Sequence, residues 1–242
     1  MALQLYLDLV SPPCRAVYIF AQKNNIPFEL KPVDLMQGQQ MGEDFGKVNL
    51  LQKVPAMKDG DFTLAESTAI LLYLTRKFKT PDHWYPSDLH KRARVDEYLS
   101  WQHTTVRVHA SKVYAAKGLV PLFLGHPLPP EKLDERIGDL NGDLKLFEAK
   151  FLQDRPFVTG KEVSLADLVA FVDLMQPFAA GHDAFEGRPK MAAWRGRVEK
   201  AIGEDLFQES HKQLFSHKSR LADHIPPEGK EQMKQHILKY VE

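Results

Sequence analysis

The first hydrophobic pattern along the chain is an alternation typical of a β-strand. Leucine occupies every second position at the start of the sequence: Leu3, Leu5, Leu7 and Leu9. A period of two places these side chains on one face of a strand. The alternation stops at residues 11–13, Ser-Pro-Pro, and apolar residues then recur at helical spacing from Cys14 onward. With a second short strand over residues 28–33, the N-terminus is predicted to form a βαβ unit.

A second group of elements is a strand pair followed by a helix. Residues 54–58 and 62–64 flank Asp59-Gly60, a dipeptide that suits a type I′ hairpin turn between antiparallel strands. Glu66-Ser67 then opens a helix with one apolar face. The predicted order of this first domain is therefore βαβ, a connecting region, then ββα.

The pattern changes in the second half of the chain, where strand signals disappear. Leu133, Ile137, Leu140, Leu144, Phe147 and Phe151 are spaced 4, 3, 4, 3 and 4 residues apart, which predicts one amphipathic helix. Ser164 and Asp167 resemble a capping box at the start of another helix. We therefore predict an N-terminal thioredoxin-like domain over residues 1–79, a linker over 80–87 and an all-helical domain over 88–242.

Charge and cysteine content narrow the classes of function. Lys plus Arg number 32 and Asp plus Glu number 32, so the net charge argues against a general affinity for nucleic acid or anionic membranes. The single cysteine, Cys14, excludes an intrachain disulfide framework. No leader peptide or membrane-spanning run is recognisable, and the histidines lack paired metal-ligand spacing. We expect a soluble cytoplasmic protein without a metal or other resident cofactor.

Candidate chemistry lies at the junction between the first strand and the first helix. Redox proteins of the thioredoxin type carry Cys-x-x-Cys at this position, whereas this chain has Ser11-Pro12-Pro13-Cys14. A helix N-terminus favours a nearby thiolate through its free amides and its partial positive charge. Serine is not a redox thiol, but its hydroxyl can donate a hydrogen bond to the sulfur of a bound thiol. Ser11 is therefore predicted to activate a thiol that a ligand supplies.

Two further motifs describe the rest of that ligand. Pro55 resembles the cis-proline of thioredoxin-like folds, and the backbone of Val54 before it can pair with a peptide. Ser67 at a helix start suits a carboxylate, and Glu66 can accept from an ammonium group. A carboxylate beside an amine, then a peptide unit, then a thiol is the order of groups in glutathione.

The whole chain resembles the theta class of cytosolic glutathione transferases. The segments that carry the resemblance are residues 5–11 (Leu-Tyr-Leu-Asp-Leu-Val-Ser), 54–56 (Val-Pro-Ala), 66–70 (Glu-Ser-Thr-Ala-Ile), 93–99 (Ala-Arg-Val-Asp-Glu-Tyr-Leu), 101–105 (Trp-Gln-His-Thr-Thr) and 163–168 (Val-Ser-Leu-Ala-Asp-Leu). This resemblance implies a transferase that conjugates glutathione to alkyl halides and epoxides, with peroxidase activity on organic hydroperoxides. It also implies a homodimer with glutathione as co-substrate.

The resemblance assigns roles to particular residues. It implies catalytic Ser11, a glycyl-carboxylate subsite at Gln40 and Lys53, backbone pairing at Val54 before Pro55, and γ-glutamyl recognition at Glu66 and Ser67. It places an arginine at Arg107 in the electrophile pocket, and the helical spacing adds His103, Ser111 and Tyr114 to the same face. A C-terminal helix near residues 237–240 is implied to cover this pocket.

Two positions and one segment depart from the family pattern. The family commonly has histidine at the position of Gln40, and glutamine at the position of Pro12. Gln40 can still donate to a carboxylate but brings no charge, so Lys53 is expected to carry more of that contact. Residues 234–239, Lys-Gln-His-Ile-Leu-Lys, are more polar than the family's apolar, tryptophan-bearing cover. The substrate range is therefore expected to differ.

Several alternatives remain open at this stage. Ser11 can be read as a simple helix cap, and Arg15 as either a surface charge or a group that steers anionic glutathione. Cys14 is expected to be core filler; if it were accessible with a depressed pKa, the protein would instead be a thiol oxidoreductase. A third possibility is a non-catalytic binding or dimerisation module that retains the transferase fold.

Overall fold

A four-stranded mixed sheet forms the N-terminal part of the molecule. The computed structural model describes residues 2–216 and, near the C-terminus, Lys234, Ile237 and Leu238. The strands are β1 (Gln4–Leu7), β2 (Glu29–Pro32), β3 (Ala56–Asp59) and β4 (Phe62–Ala65), in the spatial order β2-β1-β3-β4. β1 pairs in parallel with β2 and antiparallel with β3, and β3 pairs antiparallel with β4. The predicted βαβ-ββα arrangement is confirmed.

Three helices belong to this sheet: α1 (Pro12–Lys23), α2 (Glu43–Val48) and α3 (Ser67–Lys77). α1 and α3 pack against each other, and the leucine alternation of β1 turns Leu5 and Leu7 into the same apolar core. This burial explains why the alternation was such a clear signal, because each strand residue that faces a helix must be apolar.

The β3–β4 hairpin differs from the prediction in its turn. Asp59 pairs with Phe62, so the two turn residues are Gly60 and Asp61 rather than Asp59 and Gly60. Gly60 has a φ of 62°, whereas Asp61 is not among the residues with positive φ. A type I′ turn requires positive φ at both central positions, so the predicted turn type is wrong although the hairpin is present.

The helical part begins after a 3₁₀ turn at Asp82–Trp84. Its α-helices within residues 2–216 are α4 (Leu89–Trp101), α5 (Val106–Tyr114), α6 (Val120–Leu124), α7 (Pro130–Leu146), α8 (Leu165–Ala179), α9 (Pro189–Ile202) and α10 (Glu204–Phe215). α8 is almost wholly buried and packs against α1 and α5, and α10 also packs against α1, so both helices join the two halves of the molecule. None of the helices in the described ranges is long and apolar enough to cross a membrane.

Two helical predictions agree with the structure in detail. The stripe from Leu133 to Phe151 lies on α7 and on the π-helical turn that continues it through Phe147–Leu152. The Ser164–Asp167 capping box is present, and the Asp167 carboxylate also accepts hydrogen bonds from the Val158 amide and the Trp194 indole at 2.9 Å each. The capping residue therefore also ties the start of α8 to the preceding loop and to α9.

Candidate active site

Ser11 stands at the N-terminus of α1, and its hydroxyl caps no backbone amide of that helix. Its backbone is extended, with φ −77° and ψ 124°, and its side chain makes no capping hydrogen bond. This observation argues against the simple cap reading. Pro12 and Pro13 occupy the first two helical positions and carry no N–H, so the first turn offers fewer free amides than the sequence reasoning assumed. The Ser11 hydroxyl is a donor at this end of α1, and within the protein it contacts the Cys14 thiol.

Asp8 holds the loop that carries Ser11. Its carbonyl oxygen accepts from the Ser11 amide at 3.0 Å, and its carboxylate accepts from the amides of Val10 at 2.9 Å and Leu35 at 3.0 Å. The carboxylate thus connects the loop after β1 to the loop after β2. Sequence reasoning missed this residue, although an aspartate two positions before a free amide at a strand end is a known turn signal.

Cys14 is fully buried, as predicted for core filler. Burial raises the pKa of its thiol to about 12, and contacts with the Asp8 backbone and the Ser11 side chain offset this only in part. A redox-active cysteine needs solvent access and a depressed pKa. The thiol oxidoreductase alternative is therefore contradicted.

Arg15 is neither a surface charge nor a steering group, because its side chain is fully buried. Its Nη1 donates to the carbonyl oxygens of Leu9 at 2.8 Å and Val10 at 2.9 Å. Its Nη2 donates to the Val172 carbonyl at 3.0 Å and to Gln176 Oε1 at 2.7 Å. Burial lowers the pKa of the guanidinium to about 10, so it stays charged at neutral pH. Nothing in the sequence indicated that the Arg15 side chain is buried.

The predicted backbone-pairing position precedes β3. The Val54-Pro55 peptide bond is cis, as the resemblance to thioredoxin-like folds predicts. Val54 is half-buried, and no hydrogen bond among the described residues uses its N–H or C=O outside the strand ladders. Both groups are therefore available to an extended peptide.

The predicted glycyl-carboxylate subsite consists of two neighbouring loops. Gln40 lies on a 3₁₀ turn at Gln39–Met41, and Lys53 has an exposed side chain. Gln52 donates to the Met41 carbonyl at 3.2 Å, which links the two loops. Gln40 Oε1 is buried and has no hydrogen-bond partner in the described part of the chain.

Asn49 holds the Lys53 loop in shape and was not anticipated. Its amide nitrogen donates to the Lys53 carbonyl at 2.8 Å, and its side-chain oxygen accepts from the Leu51 amide at 3.0 Å. The side chain is buried, so these bonds are protected from water. The loop that presents Lys53 is thereby closed on itself.

Glu66 and Ser67 begin α3 in an unusual conformation. Glu66 has a φ of 68° and a ψ of 113°, which is rare for a residue with a side chain, and its carboxylate caps no amide of α3. Such strain is typically found where a site constrains the backbone. Ser67 is buried, and its hydroxyl lies 3.5 Å from Nη1 of Arg107. The strain has no signature in the sequence.

Arg107 and His103 do not share the continuous helix face that was predicted. The chain breaks between α4 and α5 in a 3₁₀ turn at Gln102–Thr104, and Thr105 has φ −127° and ψ −105°. His103 lies on that turn, with Nε2 at 3.5 Å from the Thr68 hydroxyl. The i, i+4 argument therefore fails for His103, because it requires one unbroken helix, whereas Arg107, Ser111 and Tyr114 do share α5.

The two residues nevertheless lie in one electrostatic cluster with Asp173. Arg107 Nε donates to Asp173 Oδ1 at 3.2 Å. Burial raises the pKa of the Asp173 carboxyl, against the opposing effect of the Arg107 charge. Burial lowers the pKa of His103, and the Arg107 cation lowers it further while Glu66 and Asp173 oppose the change. Asp173 was missed because a buried carboxylate looks like any helix-surface acid in the sequence.

The other two predicted pocket residues lie further along α5. Ser111 is half-buried, and Tyr114 is buried. Burial raises the pKa of the Tyr114 hydroxyl, while the Arg15 charge lowers it and the Asp8 charge raises it. Arg107, near the start of α5, contacts Ser67, and Tyr114 is the last residue of this helix.

Of the predicted C-terminal cover, only part is described. Ile237 is buried against Ala116, Val120 and Leu128, and Leu238 is half-buried. Residues 239 and 240 lie outside the described residues. Among the described residues, no group of three or more His, Cys, Asp or Glu side chains is arranged to hold a metal ion.

Comparison with known proteins identifies the family. Residues 1–76 match the family model described as the N-terminal domain of glutathione S-transferase. Human glutathione S-transferase theta-1 is 60% identical over 218 residues, which cover 90% of this chain and 91% of that protein. The chain belongs to the theta class of glutathione transferases.

Solved structures agree with this assignment. Human glutathione-S-transferase T1-1 in its apo form has a TM-score of 0.92 at 55% identity, covering 99% of this chain and 100% of that one. Human glutathione transferase theta-2, solved in complex with glutathione and an unknown ligand, has a TM-score of 0.91 at 49% identity over 98% of this chain and 99% of that one. The predicted theta class, fold and transferase activity are confirmed, and this theta-class transferase has the thioredoxin-like and helical parts of its relatives.

Proposed function

We propose that this theta-class transferase activates glutathione through the Ser11 hydroxyl and passes the thiolate to small electrophiles. The observation that carries the proposal is that the Ser11 side chain caps no amide at the start of α1, in a turn whose first two positions are prolines. Lowering a thiol pKa by two units requires about 2.7 kcal/mol. One charge-assisted hydrogen bond together with the helix N-terminus supplies energy of that size.

The tripeptide binds along the edge of the sheet in this proposal. Val54 pairs with the peptide backbone of glutathione through its own N–H and C=O, which no hydrogen bond among the described residues uses. The glycyl carboxylate meets Lys53 and the amide of Gln40. The γ-glutamyl end meets Ser67 at the start of α3 and the carboxylate of Glu66, whose strained backbone supports a binding role. Holding all three parts makes the reaction effectively unimolecular.

Arg107 lies between the γ-glutamyl subsite and the electrophile pocket in this proposal. Its long contact with the Ser67 hydroxyl and its ion pair with buried Asp173 hold it between the γ-glutamyl subsite and α8. One guanidinium nitrogen, Nη2, is buried without a partner within the described residues. We infer that the electrophile pocket lies along α5 with His103, Ser111 and Tyr114, and that Ile237 belongs to its cover.

The electrophiles that suit this arrangement are alkyl halides and epoxides, with organic hydroperoxides as substrates of a peroxidase activity. Each offers a small centre for attack by a thiolate.

We further propose a homodimer, domain limits near residues 79 and 88, and a reducing compartment such as the cytosol. A lone buried Cys14 is consistent with that compartment.

The test is glutathione-dependent turnover of a small epoxide and of cumene hydroperoxide by the native protein and by Ser11→Ala. If Ser11 lowers the thiol pKa from about 8.5 to about 6.5, the variant loses about 50-fold in rate at pH near 6.5 and only about twofold near pH 8.5. Ser100→Ala is the matched control, because within the described part of the chain that exposed hydroxyl bonds to its own helix, at the Asp96 carbonyl. It should leave the rate unchanged.

Each outcome has a definite meaning. An undiminished rate in Ser11→Ala at the lower pH contradicts the serine mechanism. If the native protein binds glutathione yet turns over neither substrate, the non-catalytic binding module becomes the better account of this chain. Loss of glutathione binding in the variant would assign Ser11 to binding rather than to activation.

A further inference from the structure

The buried guanidinium of Arg15 connects the Ser11 loop to α8. On one side it binds the carbonyl oxygens of Leu9 and Val10, the two residues that immediately precede Ser11. On the other side it binds the Val172 carbonyl and the side chain of Gln176, both on α8. Four acceptors from two separate parts of the chain therefore converge on a single side chain.

Burying the Arg15 charge costs free energy, which indicates a role beyond filling the core. Arg15 and Gln176 are 0% and 5% exposed, and a buried charge is tolerated only when its donors are satisfied. The planar fork of arginine suits this task because it directs several N–H groups at fixed angles, which lysine does not do. Nε of Arg15 is the one nitrogen of the group without a partner among the described residues.

We propose that Arg15 and Gln176 are positioning residues for the reaction: through the carbonyls of Leu9 and Val10 they fix the loop that aims the Ser11 hydroxyl at the glutathione sulfur. This inference rests on the proposed function of Ser11. The guanidinium acts from beneath the loop and touches neither glutathione nor the electrophile. The helical domain thereby sets the geometry of a donor that lies in the thioredoxin-like domain.

The Asp8 carboxylate and the Arg15 guanidinium hold the same loop from two directions. Asp8 binds the Val10 amide and the Leu35 amide, and its carbonyl binds the Ser11 amide. Arg15 binds the carbonyls of the two residues in between. The C=O and the N–H of both peptide units between Leu9 and Ser11 are therefore hydrogen-bonded. Since α8 supplies two of the four acceptors that hold Arg15, the direction of the Ser11 hydroxyl depends on α8.

Gln176→Met is the decisive variant. Methionine keeps the length and burial of the side chain but removes the strong acceptor, and it leaves the Arg15 charge in place. The readout is the pKa of the thiol of bound glutathione, followed by the ultraviolet absorbance of the thiolate as the pH is varied. We expect this pKa to rise by about half a unit and kcat below that pKa to fall about threefold, with KM for glutathione unchanged. Arg15→Lys should produce a larger shift in the same direction.

A double-mutant cycle separates positioning from general destabilisation. In the Ser11→Ala background, Gln176→Met should shift the thiol pKa no further, because there is no hydroxyl left to aim. Asn141→Ala is the matched control, since it removes another amide contact to an arginine, Arg188 Nη2 to Asn141 Oδ1 at 2.9 Å, away from the loop. It should leave the thiol pKa unchanged.

The outcomes distinguish the two proposals. If Ser11→Ala raises the thiol pKa but Gln176→Met does not, the positioning inference is overturned and the proposed function stands. If Ser11→Ala itself leaves the thiol pKa unchanged, the proposed function fails and the inference with it. An equal shift in Asn141→Ala, or an undiminished shift by Gln176→Met without Ser11, also overturns the inference.

Discussion

His211 on α10 gives this protein a pH-dependent stability that can be worked out from its surroundings. The imidazole is fully buried among the rings of Phe171, Phe207 and Phe215, with centroid distances of 5.8, 4.6 and 5.7 Å. Its Nδ1 lies 3.0 Å from the Phe207 carbonyl oxygen, and its Nε2 has no partner within the described residues. The ring is therefore held in its neutral form.

Burial, helped by the Arg15 charge and opposed by the Phe207 carbonyl, lowers the pKa of His211 to about 3. The ordinary histidine pKa is about 6.5, so below that pH the unfolded chain binds a proton that the folded protein does not. The free energy of unfolding must then fall as the pH decreases. The slope is about 1.4 kcal/mol per pH unit, which amounts to about 2.6 kcal/mol between pH near 7.5 and pH near 4.5.

The perturbation is His211→Phe, which keeps an aromatic ring in the cluster and removes the titration. Urea unfolding at a series of pH values gives the free energy for both proteins. We expect the native protein to lose about 2.6 kcal/mol more than the variant over this pH range. His90→Gln, at an exposed position on α4, is the control and should follow the native curve. Parallel curves for the native protein and His211→Phe would refute the reasoning.

Two further predictions concern the buried side chains of Asp167 and Cys14. Asp167→Ala should destabilise the protein by about 3 kcal/mol or more in urea unfolding, because the amides of Val158 and Ser164 and the Trp194 indole lose a buried acceptor; a loss below about 1 kcal/mol would contradict this account. Cys14 should resist alkylation in the native protein at mildly alkaline pH and react rapidly in urea, since its thiol is buried with a pKa of about 12. Rapid labelling of the folded protein would contradict the burial and reopen a redox role for this thiol.

Local sequence signals gave correct predictions where all the residues of a feature lie close together in the chain. The leucine alternation predicted β1, because a strand with one buried face must be apolar at every second residue. The capping box at Ser164 was predictable because its donors and acceptors lie within one turn of chain. The cis bond before Pro55 was predicted from the place of this proline in a thioredoxin-like fold, and the structure agrees with it.

Predictions failed where a local rule assumed continuity that the tertiary structure interrupts. His103 and Arg107 were assigned to one helix face, but the 3₁₀ turn at Gln102–Thr104 separates them. They still meet, since both approach the start of α3 and the Asp173 carboxylate. The packing of these elements thus brings His103 and Arg107 together, although they do not share a helix.

The sequence by itself determined the order of elements, the family and the identity of the candidate donor Ser11, because these depend on local periodicity and on motifs that stand together in the chain. Only the tertiary structure decided what Arg15, Gln176 and Asp173 do. Arginine, glutamine and aspartate are usually solvated, and nothing near them in the sequence distinguishes a surface charge from a buried one. Their burial depends on the packing of α8 against α1 and α5, and that contact joins residues more than 150 positions apart, as between Arg15 and Gln176.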